Sequence, residues 1–340
     1  MANDKVRGRF IWHELMTTDP KAAAAFYTKV TGWKTESWPQ NPSYTMFTGE
    51  AGAVAGYMEL PADARAMGAP PSWLCYIGTP DLDQTLRLAQ DLGGRVLKGT
   101  EEVPSVGRFA VLQDPQGAVF AAFTPVGGPM GDDKPKLGSF SWHELITTDW
   151  NAAFTFYQRL FGWEKTEAMD MGPMGTYQMY GWPGNTLGGM FNKPPDVPGP
   201  PRWLAYVQVR DSKAAAEAAT RLGGRVMQGP MEVPGGDWIA QAMDPQGVAF
   251  AVHSKKAAAA KPAAKPAAKK AAAKKPAARK PAAKKAAAKK KPARRKAARK
   301  PARKKAAAKR RPAKKRAAKR PAKRRAARRP AARRTTRRKR

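Results

Sequence analysis

The stretch Phe10-Ile-Trp-His-Glu-Leu-Met-Thr-Thr-Asp19 returns as Phe140-Ser-Trp-His-Glu-Leu-Ile-Thr-Thr-Asp149. The same happens to Phe26-Tyr27 with Gly32-Trp33, which returns as Phe156-Tyr157 with Gly162-Trp163. Pro70-Pro71 and Trp73 recur at Pro200-Pro201 and Trp203, and the run Asp114-Pro115-Gln116-Gly117 recurs from Asp244. Each of these offsets is 130 residues, which reads as a duplication without insertion or deletion. A repeat this long is a whole domain written twice, not a solenoid unit. The chain must therefore build two similar cores, expected over residues 8–125 and 138–253. The Gly- and Pro-rich stretch at 126–137 reads as the linker between them.

Within the first copy an extended run, Arg9–Thr17, precedes an N-cap at Asp19 and an Ala-rich helix, Pro20–Thr31, which Gly32 stops. Short strands are expected at Trp33–Trp38, Ser43–Thr48 and Ala53–Leu60. The order then restarts with a strand at Trp73–Thr79, an N-cap at Asp81 and a helix through Leu92 that ends at Gly93-Gly94. Strands follow near Val96 and at Phe109–Gln113 and Val119–Thr124. Each copy is thus βαβββ twice, an α+β arrangement with helices on one side of curved sheets whose open faces form clefts.

From Ser254 the composition changes completely. The remaining residues hold 42 Lys and Arg and no Asp or Glu, set among Ala, Pro and a Thr335–Thr336 pair. All 26 acidic residues lie earlier, with 21 basic ones, so a slightly acidic part and a strongly basic tail share one chain of net charge +37. With nothing apolar larger than Ala, the tail cannot bury enough surface to offset its chain entropy and is expected to be disordered. Recurrent prolines such as Pro262, Pro266, Pro276 and Pro281 hold any helix to about two turns. A polyanion is the expected partner, DNA or RNA through residues 254–340. Phosphate contacts are assigned to Lys269, Lys270, Arg294, Arg295, Arg324, Arg325, Arg333, Arg334, Arg337 and Arg338. The lack of aromatics argues against base stacking, so binding is expected to ignore sequence.

The Lys-Pro-Ala-Ala-Lys cadence resembles the C-terminal domain of linker histone H1. Residues from Gly8 to about His253 resemble the vicinal oxygen chelate superfamily of glyoxalase I, bleomycin-resistance proteins and extradiol dioxygenases. The first strand ending in Asp19 or Asp149, the Phe-Tyr…Gly-Trp helix end and the Asp-Pro-x-Gly turn carry that likeness. It implies two tandem glyoxalase-like domains, each of paired βαβββ modules. The Asp-Pro-Gln-Gly run is itself a β-turn and is read as structural.

The resemblance also implies where a divalent metal would sit. The ligand positions counted from Asp19, Asp81 and Asp114 fall on Trp12, Leu74 and Ala121. Those counted from Asp149, Asp211 and Asp244 fall on Trp142, Leu204 and Ala251. None of these side chains ligates a divalent cation, so neither metal nor cofactor is expected. Strand alternation turns Trp12, Glu14 and Met16 into the cleft, and His13 and Leu15 toward the helices. His13 and His143 are then core histidines bonded to backbone or to a helix residue. Glu14 and Glu144 are the candidate catalytic residues; the competing structural reading pairs them with Arg or Lys, Arg108 for example.

Trp12, Glu14 and Tyr76, and in the other copy Trp142, Glu144 and Tyr206, are the expected ligand-binding residues. His253 is placed at the second rim, and Trp38, Trp182, Met169, Met171 and Met174 at the openings. Such linings suit a small, planar, apolar molecule, but the same residues also fill ordinary cores, and core packing is the favoured reading of them. No Ser-His-Asp set, phosphate loop or dinucleotide fingerprint is visible in the sequence, and Cys75 reads as a core thiol. Met1–Phe10 is too polar for a signal peptide and no apolar run reaches membrane length, so a cytoplasmic, nucleoid-associated protein is expected. Two functions fit these residues. One is a metal-independent small-molecule-binding module tethered to nucleic acid. The other is a lyase or isomerase using Glu14 or Glu144.

Overall fold

A computed structural model describes residues 5–127, 134–195 and 197–256. The expected linker at 126–137 falls partly, and the basic tail with all its named Lys and Arg residues wholly, outside the described residues.

The first copy runs β1 (Phe10–Thr17), α1 (Pro20–Thr31), β2 (Lys34–Trp38), β3 (Asn41–Gly49), β4 (Gly52–Glu59) and a short α2 (Ala62–Ala66). It continues with β5 (Ser72–Gly78), α3 (Leu82–Asp91), β6 (Arg95–Val103), β7 (Gly107–Gln113) and β8 (Val119–Pro125). The second copy repeats this as β9 (Phe140–Thr147), α4 (Trp150–Phe161), β10 (Glu164–Asp170), β11 (Thr176–Trp182) and β12 (Asn185–Asn192). Then come β13 (Arg202–Gln208), α5 (Ser212–Arg221), β14 (Arg225–Glu232), β15 (Trp238–Met243) and β16 (Ala249–Ser254).

Local chemistry explains these boundaries. The Asp19 carboxylate accepts from Ala22 N at 2.9 Å and so caps α1. Gly32 ends that helix at φ 79°, a left-handed conformation costly for any residue with a Cβ. Asp81, Asp149 and Asp211 cap α3, α4 and α5 in the same way.

Each copy forms its own eight-stranded sheet, in the order β2-β3-β4-β1-β5-β8-β7-β6 and its counterpart in the second copy. The two modules of a copy meet where β1 runs antiparallel to β5, with Trp12 opposite Tyr76 and Glu14 opposite Leu74. Each sheet has an outer face clothed in helices and a concave inner face.

The helical layers are shared between copies. Phe26, Tyr27 and Val30 of α1 pack with Val207, Ala219 and Phe250 of the second copy. Phe156, Tyr157 and Phe161 of α4 pack with Leu112, Phe120 and Ala122 of the first. Tyr27 OH donates to Asp244 Oδ2 at 3.1 Å, and Tyr157 OH donates to Asp114 Oδ2 at 3.0 Å. Trp33 Nε1 donates to Gly138 O, and Trp163 Nε1 to Gly8 O. Asp114 Oδ1 still accepts the N–H groups of Gln116, Gly117 and Ala118, so the Asp-Pro-Gln-Gly turn is structural, and its second oxygen ties the copies together.

His13 and His143 point away from the clefts, as alternation requires; His143 makes the expected backbone bond, to Leu187, and each ring also takes the other histidine as its partner. Their Nε2 atoms meet at 2.9 Å, and Phe140 and Phe10 stack on the two rings at 3.6 Å. Burial, followed by the neighbouring ring, lowers the His13 pKa; burial lowers that of His143 to about 3. Two neutral rings then share one N–H…N hydrogen bond.

The uniform offset also needs correction. Glu14 pairs with Gly56, but Glu144 pairs with Gly189, an offset of 133 on β4 and β12. Lys34 pairs with Thr48, and Glu164 with Gly181, which places the three added residues between β10 and β11. Three residues are lost again before β13, where Trp142 faces Tyr206 as Trp12 faces Tyr76. The duplicated motifs all lie outside this interval, so the compensated insertion is silent in their spacing.

Candidate functional site

The concave faces bring together the residues expected there. In the first copy, Trp12 Nε1 donates to Tyr44 OH at 3.1 Å, and Tyr44 OH donates to Glu14 Oε2 at 2.7 Å. In the second, Trp142 Nε1 donates to Tyr177 OH at 2.8 Å, and Tyr177 OH to Glu144 Oε2 at 3.1 Å. Neither tyrosine was foreseen; Tyr177 matches Tyr44 through the offset of 133. Gly56 and Gly189 make room for both: an added Cβ would lie 1.7 Å from Tyr44 OH or 2.1 Å from the Tyr177 ring. Arg108 does not pair with Glu14 but with Asp83, at 3.2 Å on the surface.

Beyond this shared chain the two faces diverge. In the first copy Val6, Ile11, Tyr76 and Phe123 form an apolar cluster with Phe109 and Val111 packed against it. The Phe109 ring lies 5.5 Å from that of Tyr76. Glu14 Oε1 is buried without a hydrogen-bond partner. In the second copy the positions matching Ile11, Val111 and Phe123 hold Ser141, Gln241 and His253. Tyr206 OH donates to Glu144 Oε2 at 3.2 Å, and Gln241 Nε2 reaches Glu144 Oε1 at 3.2 Å and Tyr206 OH at 2.6 Å.

A cavity of about 940 Å³ opens on this second face. Trp142, Glu144, Tyr177, Tyr206 and Gln241 form part of its lining. Met169, Met171, Met174 and Trp182 form another part. Met171 precedes and Met174 ends a short 3-10 turn, Gly172–Met174, within the segment lengthened by three residues. Trp38, the other aromatic expected at an opening, lies edge-on to Tyr44.

Burial pushes the Glu144 carboxyl up to about 7 against the opposing pull of Tyr177, Tyr206 and Gln241. Burial likewise pushes Glu14 up to about 7, with Tyr44 opposing. The Glu144 neighbours are arranged as donors, so they favour the anion that burial disfavours. A carboxyl balanced near neutrality can accept or release a proton in a desolvated cleft. Burial also pushes the free thiol of Cys75 up to about 12, as suits a core residue.

The sequence reading missed Ser141 and Asp237. Between Tyr206 and Val207 the pairing of β13 with β9 shifts, passing from Trp142 directly to Phe140. The irregularity interrupts alternation and lets Ser141 join the cavity lining beside Trp142. There its Oγ lies 2.8 Å from His253 Nδ1, and His253 Nε2 lies 2.9 Å from Asp237 Oδ2. The structure thus assembles a Ser-His-Asp set that the sequence analysis did not find.

The six positions at which a metal would be expected carry indole, isobutyl and methyl side chains. Leu74, Ala121, Leu204 and Ala251 are buried in the apolar clusters of the concave faces, against which Trp12 and Trp142 pack. These residues do not fit a divalent metal. Among the described residues no group of three or more His, Cys, Asp or Glu could hold a metal ion.

Comparison with known proteins supports the architecture. The glyoxalase/bleomycin resistance protein/dioxygenase superfamily model matches residues 139–252, and a glyoxalase-like domain model matches residues 12–123. The chain belongs to this superfamily and carries two of its domains in tandem. It is 30% identical over 254 residues to the anthracycline biosynthesis protein DnrV of Streptomyces peucetius, covering 71% of this chain and 91% of that protein. It is 39% identical over 120 residues to the putative glyoxylase CFP32 of Mycobacterium bovis, covering 35% and 44% respectively. A mutant homoprotocatechuate 2,3-dioxygenase from Brevibacterium fuscum shares the fold, with a TM-score of 0.53 at 16% identity, covering 74% of this chain and 72% of that one.

Proposed function

We propose that this protein binds a small, largely apolar, planar molecule in the cavity of its second copy without a metal, while residues 254–340 hold it on DNA or RNA. The observation that carries the first part is the cavity itself, a half-open space of about 940 Å³ with aromatic and Met walls around one buried carboxyl. Aromatic and thioether surfaces favour flat rings, and the Glu144 network orients one polar edge. The relative named for anthracycline biosynthesis supports a ligand with fused rings. Native mass spectrometry of the purified protein is expected to show a retained organic ligand and no bound transition metal. One tightly held metal ion per copy would overturn the metal-independent reading.

A second reading is favoured by one observation, the Glu144 carboxyl balanced near 7 inside the cavity. On that reading the protein is a lyase or isomerase in which Glu144 moves a proton on the bound molecule, and the tail only localises it. Glu14 has the same balance but sits against a filled apolar face, which supports Glu144 over it. Unchanged recovery of the co-purified ligand after prolonged incubation favours binding; its conversion, lost in Glu144→Gln, favours the enzyme.

The tail reading rests on its 42 basic residues and on the absence of acidic ones after Asp244. Each neutralised phosphate contributes a slope of about −0.9 in log K against log salt, so ten engaged residues give about −9. Replacing blocks of Lys by Gln is expected to lower affinity and slope together, with no preference between AT-rich and GC-rich duplex. Affinity that hardly changes with salt would remove the proposal. Among the described residues no helix is long and apolar enough to cross a membrane.

A further inference from the structure

We infer that Ser141, His253 and Asp237 form a nucleophilic acyl-transfer site on the wall of the second copy's cavity, acting on esters of small, apolar, aromatic molecules. All three line that cavity, and the proposal goes beyond ligand binding by giving the same space a covalent step.

The hydrogen-bond directions follow from the acid end of the chain. Asp237 Oδ1 accepts from Lys256 N at 2.8 Å, and Oδ2 accepts from Lys255 Nζ at 3.3 Å. Burial works against the anion, but these donors and the His253 ring outweigh it and hold the carboxyl below its usual range. A carboxylate has no proton to give, so the hydrogen between it and His253 sits on Nε2. Nδ1 then carries the lone pair, and the Ser141 hydroxyl donates to it at 2.8 Å. The other acceptor near that hydroxyl, Tyr206 O, is more distant at 3.4 Å. Burial chiefly lowers the His253 pKa, keeping the ring neutral and able to accept a proton. A nucleophile bonded to a base, and a base oriented by a carboxylate, is the arrangement that activates serine. Here the two ring nitrogens exchange the roles they have in serine proteases.

The first copy argues against a purely structural role. Its matching residues are Ile11, Phe123 and Gly107, with no polar group among the side chains. The same fold therefore closes without the trio, and placing three half-buried polar groups at these positions of the second copy is something folding did not require.

The Ser141 oxygen bonds to the ester carbonyl carbon as its proton passes to His253 Nδ1. The bond from that carbon to the alcohol oxygen then breaks, and the departing alcohol takes the proton from His253. Water repeats the sequence on the acyl-serine, giving its proton to His253 and restoring the Ser141 hydroxyl as the acid leaves.

The test uses the full chain and a fluorophosphonate, with peptide mass spectrometry to locate the adduct, because the lysine-rich tail gives background acylation with activated esters. The expected result is one phosphonyl group per chain on Ser141. It also requires turnover of p-nitrophenyl butyrate that falls about 1,000-fold in Ser141→Ala and more than about 100-fold in Asp237→Asn. His253→Phe installs the residue that the first copy already carries at this position, so it keeps the test decisive if Ser141→Ala folds poorly. No adduct on Ser141, or ester turnover equal in the parent and these variants, overturns the inference. Titration with anilinonaphthalene sulfonate separates it from the binding proposal. Dye binding without an adduct sinks this inference alone, and an adduct without dye binding sinks the apolar-ligand reading alone.

Discussion

The two copies share a backbone plan and a Trp-Tyr-Glu chain, yet the first fills its concave face and the second leaves it open. The difference is concentrated at a few positions. Ile11, Val111 and Phe123 close the first face, where Ser141, Gln241 and His253 stand in the second. The connection between β10 and β11, longer by three residues, adds Met171 and Met174 to the cavity wall. Such a pattern separates what the fold needs from what a ligand needs. Gly56 and Gly189, Tyr44 and Tyr177, and Glu14 and Glu144 appear in both copies and belong to the common frame. The polar trio and the Met wall appear once and are what the proposed functions rest on. Since the helical layers interlock, the first copy also acts as a scaffold for the second.

The largest effect expected to test this contrast is on stability. Phe123 is buried, so Phe123→Ala should cost about 3–5 kcal/mol through lost burial and the space left behind. His253→Ala, at the matching position, should cost below about 1 kcal/mol, because it borders an open cavity. Urea unfolding of the two variants side by side measures this. Equal costs would mean that the first face is no more a core than the second.

Next in size is the pH dependence of the paired glutamates. Both carboxyls are raised from 4.5 to about 7 by burial. Folded protein therefore holds protons that the unfolded chain has released, and each glutamate lowers stability as pH rises from about 4.5 to 7. Glu14→Gln and Glu144→Gln should each stabilise the protein by about 2–3 kcal/mol at pH 8, and the curves should converge with the parent below pH 4.5. Thermal melts across pH give the sign directly. The copies should agree in stability but differ in ligand capture, which only Glu144→Gln is expected to impair.

Much of the fold was legible because its signals are local. Asp19, Asp81, Asp149 and Asp211 mark helix starts through their own side-chain bonds, and Gly32 and Gly162 mark ends through a backbone conformation. Alternation along β1 placed Trp12, Glu14 and His13 on the faces where the structure finds them. It failed at Ser141, because an irregular pairing beside Tyr206 interrupts the period of two on which the argument depends. Tyr44 and Tyr177 escaped notice because compensated length changes hid their equivalence. The partners of His13, Tyr27 and Tyr157 were beyond reach for another reason: each lies in the other copy, and no residue pattern within one repeat encodes how two repeats dock.

The smallest expected effect concerns that docking and should be the same in both copies. Tyr27 and Tyr157 are fully buried, and each donates to an aspartate of the opposite copy while accepting from Trp73 or Trp203. Tyr27→Phe and Tyr157→Phe keep the ring packing and remove one donor from Asp244 or Asp114. Each should cost about 1–2 kcal/mol at neutral pH, the penalty of a buried acceptor losing a partner. Burial already raises both aspartates above their usual range, opposed by backbone N–H groups and by these tyrosines. Loss of the hydroxyl raises them further, so the cost should be greatest above pH 5 and shrink toward pH 3, where the unfolded aspartates are protonated too. Equilibrium unfolding at pH 7 and pH 4 checks both the size and the trend. A large difference between the variants would show that the two halves of the interlock are not equivalent, and would confine the asymmetry of this molecule to more than its concave faces.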